Sequence, residues 1–81
     1  MVIEAFDNKG NKYKVGQEVQ VNNKKGWIFD ILIDDATGKM SQLFLLGSGL
    51  DEYFFASPSN KITFTGKYEP DILKLKRKLA K

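Results

Sequence analysis

At 81 residues, 42% of them hydrophobic and 28% charged, the chain has room for one domain with a modest core. With no cysteine and no histidine it has no disulfide, no thiolate or imidazole metal site, and none of the usual serine or cysteine triads. The net charge of +3 is uneven: residues 1–70 hold eight lysines against nine acidic residues, whereas residues 71–81 set Lys74, Lys76, Arg77, Lys78 and Lys81 against Asp71.

In chain order, Val2 to Asp7 reads as a strand, Asn8 to Asn11 as a turn with Gly10 free to take positive φ, and Lys12 to Val15 as the returning strand. Gly16 breaks that N-terminal hairpin from the next strand, where Val19 and Val21 point inward and Glu18 and Gln20 outward. Asn22 to Gly26 reads as a polar loop. Trp27, Phe29, Ile31 and Ile33 then alternate, as in a strand with one face on a core, and the other face holds Ile28, Asp30, Leu32 and Asp34. Asp35 to Lys39 is a hairpin turn into a strand over Met40–Leu46, which ends at the flexible Gly47-Ser48-Gly49. Tyr53 to Ala56 is a short aromatic strand. Ser57 to Asn60 is a tight turn, because Pro58 lacks a ladder donor, and it feeds a last strand over Lys61–Thr65. Gly66 to Glu69 reads as a linker. After Pro70, Asp71 to Ala80 has helical spacing, with Ile72, Leu75 and Leu79 on one face and Lys74, Arg77, Lys78 and Lys81 on the other. The expected organisation is a β domain over 1–69 and a basic amphipathic helix over 70–81. So short a helix needs packing partners in order to persist: its apolar stripe is expected to dock on the β domain, the alternative being a tail that stays disordered until a partner arrives.

Five strand-like segments between Val15 and Thr65 suit a small closed barrel, with Val19, Val21, Phe29, Ile31, Ile33, Ile62 and Phe64 expected inside. The stretch Val15-Gly16-Gln17-Glu18-Val19, followed by Lys25-Gly26-Trp27-Ile28-Phe29-Asp30-Ile31, resembles the opening of SH3-like barrels of the KOW and Tudor type. Those families place a G-D-x-V element before the first core strand and a glycine before the second. Gln17 stands here in place of the common aspartate. The Ser57–Asn60 turn is similar to the one that closes such barrels. The resemblance spans about fifty residues and implies an SH3-like five-stranded barrel, here with an N-terminal β-hairpin and a short C-terminal α-helix. It also implies a binding role, since members bind RNA, DNA, ribosomal proteins, proline-rich peptides or methylated side chains.

For a binding role, Lys12, Lys14, Lys24 and Lys25 flank the hairpin and the first loop, with Lys9, Tyr13 and Trp27 nearby. Cations interleaved with aromatic rings suit phosphates and stacked bases, although lysines beside turns are also ordinary surface residues. Lys12, Lys14, Lys24, Lys25, Lys74, Arg77, Lys78 and Lys81 are the candidate nucleic-acid contacts. Trp27, Tyr53, Phe54 and Phe55 are the rings available for a methyl-lysine cage, and Tyr13, Tyr53 and Tyr68 those for a proline-peptide groove. Asp30, Asp34, Asp35, Asp51 and Glu52 could converge on a divalent cation, but the loop Asp34-Asp35-Ala36-Thr37-Gly38 lacks the ligand rhythm of a calcium loop, and hairpin solvation explains its acidity as well. The sequence therefore leads to a non-catalytic binding module, nucleic acid first. The alternative is a protein-interaction module, an adaptor or small inhibitor of phage or mobile-element origin, which the lysine-, asparagine- and isoleucine-rich composition suits. No cofactor, metal or small-molecule substrate is expected. With no basic-then-apolar leader and no apolar run near the length of a membrane span, the expected location is the cytoplasm.

Overall fold

The computed structural model describes residues 3–49, 52–71 and 74. Two short strands, β1 (Glu4–Phe6) and β2 (Lys12–Lys14), form an antiparallel hairpin. Five more, β3 (Gln17–Val21), β4 (Lys24–Ile33), β5 (Met40–Gly47), β6 (Tyr53–Ala56) and β7 (Ile62–Tyr68), form one antiparallel sheet in the order β6-β5-β4-β3-β7. The last strand returns to pair with the first of the five.

Two irregularities shape the β4–β5 pair of this sheet. On β4, Ile28 lies opposite Leu45 and Asp30 opposite Phe44, so Phe29 is an extra residue on that strand. In such a bulge two residues share one partner and the strand bends. Ile28 and Ile31 therefore both point to the core, where they are 0% and 2% exposed, and Asp30 is spared from burial between them. Further along, Leu32 lies opposite Gln42 but Ile33 opposite Met40, leaving Ser41 as the extra residue on β5. Its hydroxyl donates to the Leu32 carbonyl at 3.2 Å.

The sheet does not close into a barrel, contrary to the sequence expectation: β6 and β7 are its two edges. The N-terminal hairpin does the covering instead. Ala5 and Tyr13 join Val19, Val21, Ile28, Ile31, Met40, Leu43, Leu45 and Ala56 in one cluster, so the hairpin caps the core from the side. Of the residues expected inside, Val19, Val21 and Ile31 are buried, and Ile33 and Ile62 pack half-buried against them. Phe29 faces the other way with Trp27 around Leu46, and Phe64 is 40% exposed beside Tyr13. Strand bounds shift too. The loop expected over Asn22–Gly26 shrinks to a turn at Asn22 and Asn23, because Asn22 accepts φ 58°. The expected linker at Gly66–Glu69 is largely strand, since Tyr68 pairs with Gln17 and the Glu69 amide donates to the Gly16 carbonyl at 2.7 Å. The elements of the described residues include no helix; the one expected over Asp71–Ala80 lies, except for Asp71 and Lys74, outside those residues, and so does its docking.

Gly16 ties these parts together. Its amide donates to the Ile28 carbonyl at 2.8 Å, its carbonyl receives Glu69, and its φ is 104°. A Cβ there would drive into the Glu69 carbonyl oxygen, whereas one at Gly38, φ 71°, meets open space. Gly16→Ala is expected to lower unfolding stability by about 3 kcal/mol, strain and clash together, against about 1 kcal/mol for Gly38→Ala. Denaturant titration of both variants checks this; equal losses would remove Gly16 from the joint.

Candidate functional site

The bulge gives the sheet a second apolar face. Trp27 lies opposite Leu46, and Leu46 opposite Tyr53, so all three share the side away from the main core. Leu46 is fully buried there under Val15, Trp27 and Phe29. From that seat a row of rings runs outward. Phe29 meets Tyr53 edge-on at 5.1 Å and Phe44 at 6.2 Å, and Phe44 meets Phe55 at 4.8 Å. Exposure rises along the row to 49% at Tyr53 and 62% at Phe55, and Leu32 extends the apolar surface. Phe54 points to the opposite side, where its ring lies against Gly26 and Lys24 Nζ sits 4.9 Å from its centre. The four rings considered for a methyl-lysine cage are thus divided between two faces.

A second feature lies at the other side of β3. Lys14, Gln17, Glu18, Phe64, Gly66, Lys67 and Tyr68 line a cleft of about 240 Å³. Lys14 Nζ stands 5.2 Å from the Tyr68 ring centre, and Gln17 Oε1 accepts from the Lys14 amide at 2.8 Å. Its size falls below the usual range for small-molecule sites.

The sequence-selected cations have separate fates. Lys14 lines the cleft. Lys12 pairs with Glu4 at 3.3 Å, and Lys24 with Glu52 at 2.9 Å, on exposed ground where such pairs contribute little. Lys25 is exposed across from Gln20 and, like Lys67, helps to stabilise the Glu18 carboxylate. Lys74 is exposed, its amide bonded to Asp71. Arg77, Lys78 and Lys81 lie outside the described residues. Lys67 was missed because Gly66–Glu69 read as a linker. The carboxylates are spread out as well: Asp30 accepts from the Ile31 amide, Asp34 from the Ala36 amide, and Glu52 holds Lys24.

Two buried carboxylates are the most perturbed acids among the described residues, which makes them functional candidates in principle. Both are satisfied by structural donors. Glu18 was expected outward; it does face away from the main core, but Ser48 Oγ at 2.5 Å and Thr65 Oγ1 at 2.7 Å close over it, leaving it 4% exposed. Burial pushes its pKa up, but those hydroxyls, with Lys67 and Lys25, bring it below the ordinary value. Asp7 closes the hairpin turn. It accepts from the Lys9 and Asn11 amides at 2.9 Å, from Asn11 Nδ2 at 3.1 Å and from the Tyr13 hydroxyl at 2.8 Å. Burial opposes ionisation here too, yet these donors hold the carboxyl down at about 2, while burial and Asp7 push the Tyr13 hydroxyl up. Asp7 and Tyr13 thus fasten the hairpin across its turn.

No family model matches this chain, and no curated protein and no solved structure matches it.

A folded-state pKa of about 2 at Asp7, against roughly 3.9 when unfolded, sets a sign. Its contribution is complete above pH ~4 and is lost as pH falls through about 2. The unfolding midpoint is expected to drop across that window, and Asp7→Asn to lower stability at neutral pH and flatten the drop. Thermal melts from pH 7 to pH 2 check it; an unaltered acid limb in Asp7→Asn would contradict the assignment.

Proposed function

We propose that this chain is a non-catalytic interaction module and that its binding surface is the aromatic outer face, with a protein as partner. One observation carries the reading: Phe55, Tyr53 and Leu32, each at least 40% exposed, are continuous with Phe44, Phe29 and Trp27. Scattered exposed apolar residues are normal, but a connected aromatic row over a packed base is typical of protein contact sites. The charge on it supports a protein over a nucleic acid: Asp30 shares this face, whereas Lys24 lies with Phe54 on the opposite side and is engaged by Glu52. The SH3-like reading of the fold belongs to the same proposal. It is supported by five sequential strands, a last strand that returns to the first, and two irregularities that curl the sheet. Absence of imidazole and thiol and a small cleft support a non-catalytic role.

A nucleic-acid reading has one specific observation in its favour, the cleft lined by Lys14, Lys67 and Tyr68, with Lys14 Nζ 5.2 Å from the Tyr68 ring centre. A ring with cations nearby suits a base and its phosphate. Two such contacts would contribute a log–log salt slope of only about −1.8 on a duplex, so most of the affinity would have to come from Lys74, Arg77, Lys78 and Lys81.

Affinity capture from the native host, with and without nuclease, separates the readings. Capture is expected to resist nuclease, to fall at least tenfold in Tyr53→Ser/Phe55→Ser, and to persist in Lys14→Glu/Lys67→Glu. Removing exposed rings is expected to lower stability by about 1 kcal/mol, which circular dichroism melts check. Nuclease-sensitive capture lost only in the lysine variant would overturn the protein reading in favour of nucleic acid.

A further inference from the structure

The two edges of the sheet are unequal. β7 carries Lys67 and a positive-φ glycine, Gly66 at 89°, where its pairing with β3 shifts register. A charge and an irregularity are the usual devices that keep an edge from recruiting another strand. β6, Tyr53-Phe54-Phe55-Ala56, carries neither. It is uncharged, apolar on both sides and regular against β5.

The hydrogen-bonding groups of β6 that no described strand takes can be named. The Gly47 amide donates to the Glu52 carbonyl at 2.8 Å, so the pair 47/52 is a hydrogen-bonded one. Antiparallel ladders alternate. The pairs Leu45–Phe54 and Leu43–Ala56 are then bonded too, and the N–H and C=O groups of Tyr53 and Phe55 point away from β5 to the open edge.

We infer that β6 pairs antiparallel with β6 of a second copy of this chain, with Phe54 of each copy on the two-fold axis. This goes beyond the protein-binding face, because it rests on the strand's backbone edge and not on its rings. An isologous contact must be self-complementary, and this strand meets that condition with Phe54 on the axis. With Phe54 opposite its symmetry mate, Tyr53 lies opposite Phe55 in both directions, and both copies' edge groups close four backbone hydrogen bonds. Side chains directly opposite share a face. Tyr53 and Phe55 therefore meet their counterparts on the outer face, and the two aromatic rows join across the axis. The register one step along, with Phe55 on the axis, would bring Tyr53 opposite Ser57, whose amide is already committed to Asn60 Oδ1 at 2.8 Å. No like charges meet within the strand pair, and Glu52 just outside it is held by Lys24. The charge-free strand favours a second copy over an acidic or basic peptide. A four-residue pair buries less than the roughly 800 Å² per partner of a standard interface, so the dimer is a weak one, with a Kd on the order of 10 μM.

Sedimentation equilibrium of the full chain from about 1 to about 500 μM brackets that value. The expected result is a monomer–dimer equilibrium in which the Tyr53 and Phe55 amides slow their hydrogen exchange as concentration rises, while those of Phe54 and Ala56 do not change. Phe55→Pro removes one edge donor per copy and no β5 bond, and is expected to raise Kd at least tenfold. Phe55→Ala keeps the donor and is expected to retain concentration-dependent protection at Tyr53, so a folding defect in the proline variant leaves the test intact. A wild-type monomer throughout, or a dimer whose Tyr53 and Phe55 amides exchange freely, would overturn the inference. Either result would leave the protein-binding face to stand or fall on its own capture assay.

Discussion

The bulge at Phe29 is the constraint on which the rest of the molecule depends. A straight β4 would place Ile28, Asp30 and Leu32 on one side and Trp27, Phe29 and Ile31 on the other. Such a strand buries either an unpaired carboxylate among Leu43 and Leu45 or leaves Ile28 outside, and an uncompensated buried charge is far the more expensive. One extra residue resolves the conflict. Ile28 and Ile31 both reach the main cluster, and Phe29 and Asp30 turn outward together opposite Phe44. The strand that builds the core thereby also builds the outer face.

Each side of the sheet is then completed by the N-terminal hairpin or its connection. Tyr13 and Ala5 cover the main core, and Val15 bridges to the smaller cluster around Leu46. The Asp7 carboxylate with its four donors, and Gly16 with its two backbone bonds, hold that hairpin in place. What the hairpin does not reach is the far end of the outer face and the neighbouring edge, where Tyr53 and Phe55 are exposed and Phe44 is half-buried. The proposed binding surface is thus what remains of the second apolar face once the hairpin has taken its share.

Much of the strand pattern was legible in the sequence, since turn residues such as Asn22, Gly38 and Pro58 mark the chain's reversals and all seven strands fall near expected runs. On β4, alternation failed where the register slips. Trp27, Phe29, Ile31 and Ile33 read as one inward row because a period of two carries no sign of an inserted residue; an aspartate between two isoleucines was the only hint. Glu18 read as solvated because its two hydroxyl partners lie 30 and 47 residues away. Barrel closure was an inference from strand number, and number alone does not say whether a hairpin will occupy the open side. Of the described lysines singled out as a phosphate site, only Lys14 lines the cleft; Lys12 and Lys24 answer local carboxylates, and sequence spacing could not anticipate either pairing.

The most direct measurement of the central claim is the cross-strand pattern of backbone nuclear Overhauser contacts between β4 and β5. A bulge at Phe29 predicts contacts between Ile28 and Leu45, between Asp30 and Phe44, and between Ile31 and Leu43. An uninterrupted ladder that places Phe29 opposite Phe44 and Asp30 opposite Leu43 would contradict the account, because it would leave the sheet no means of dividing its apolar residues between two faces.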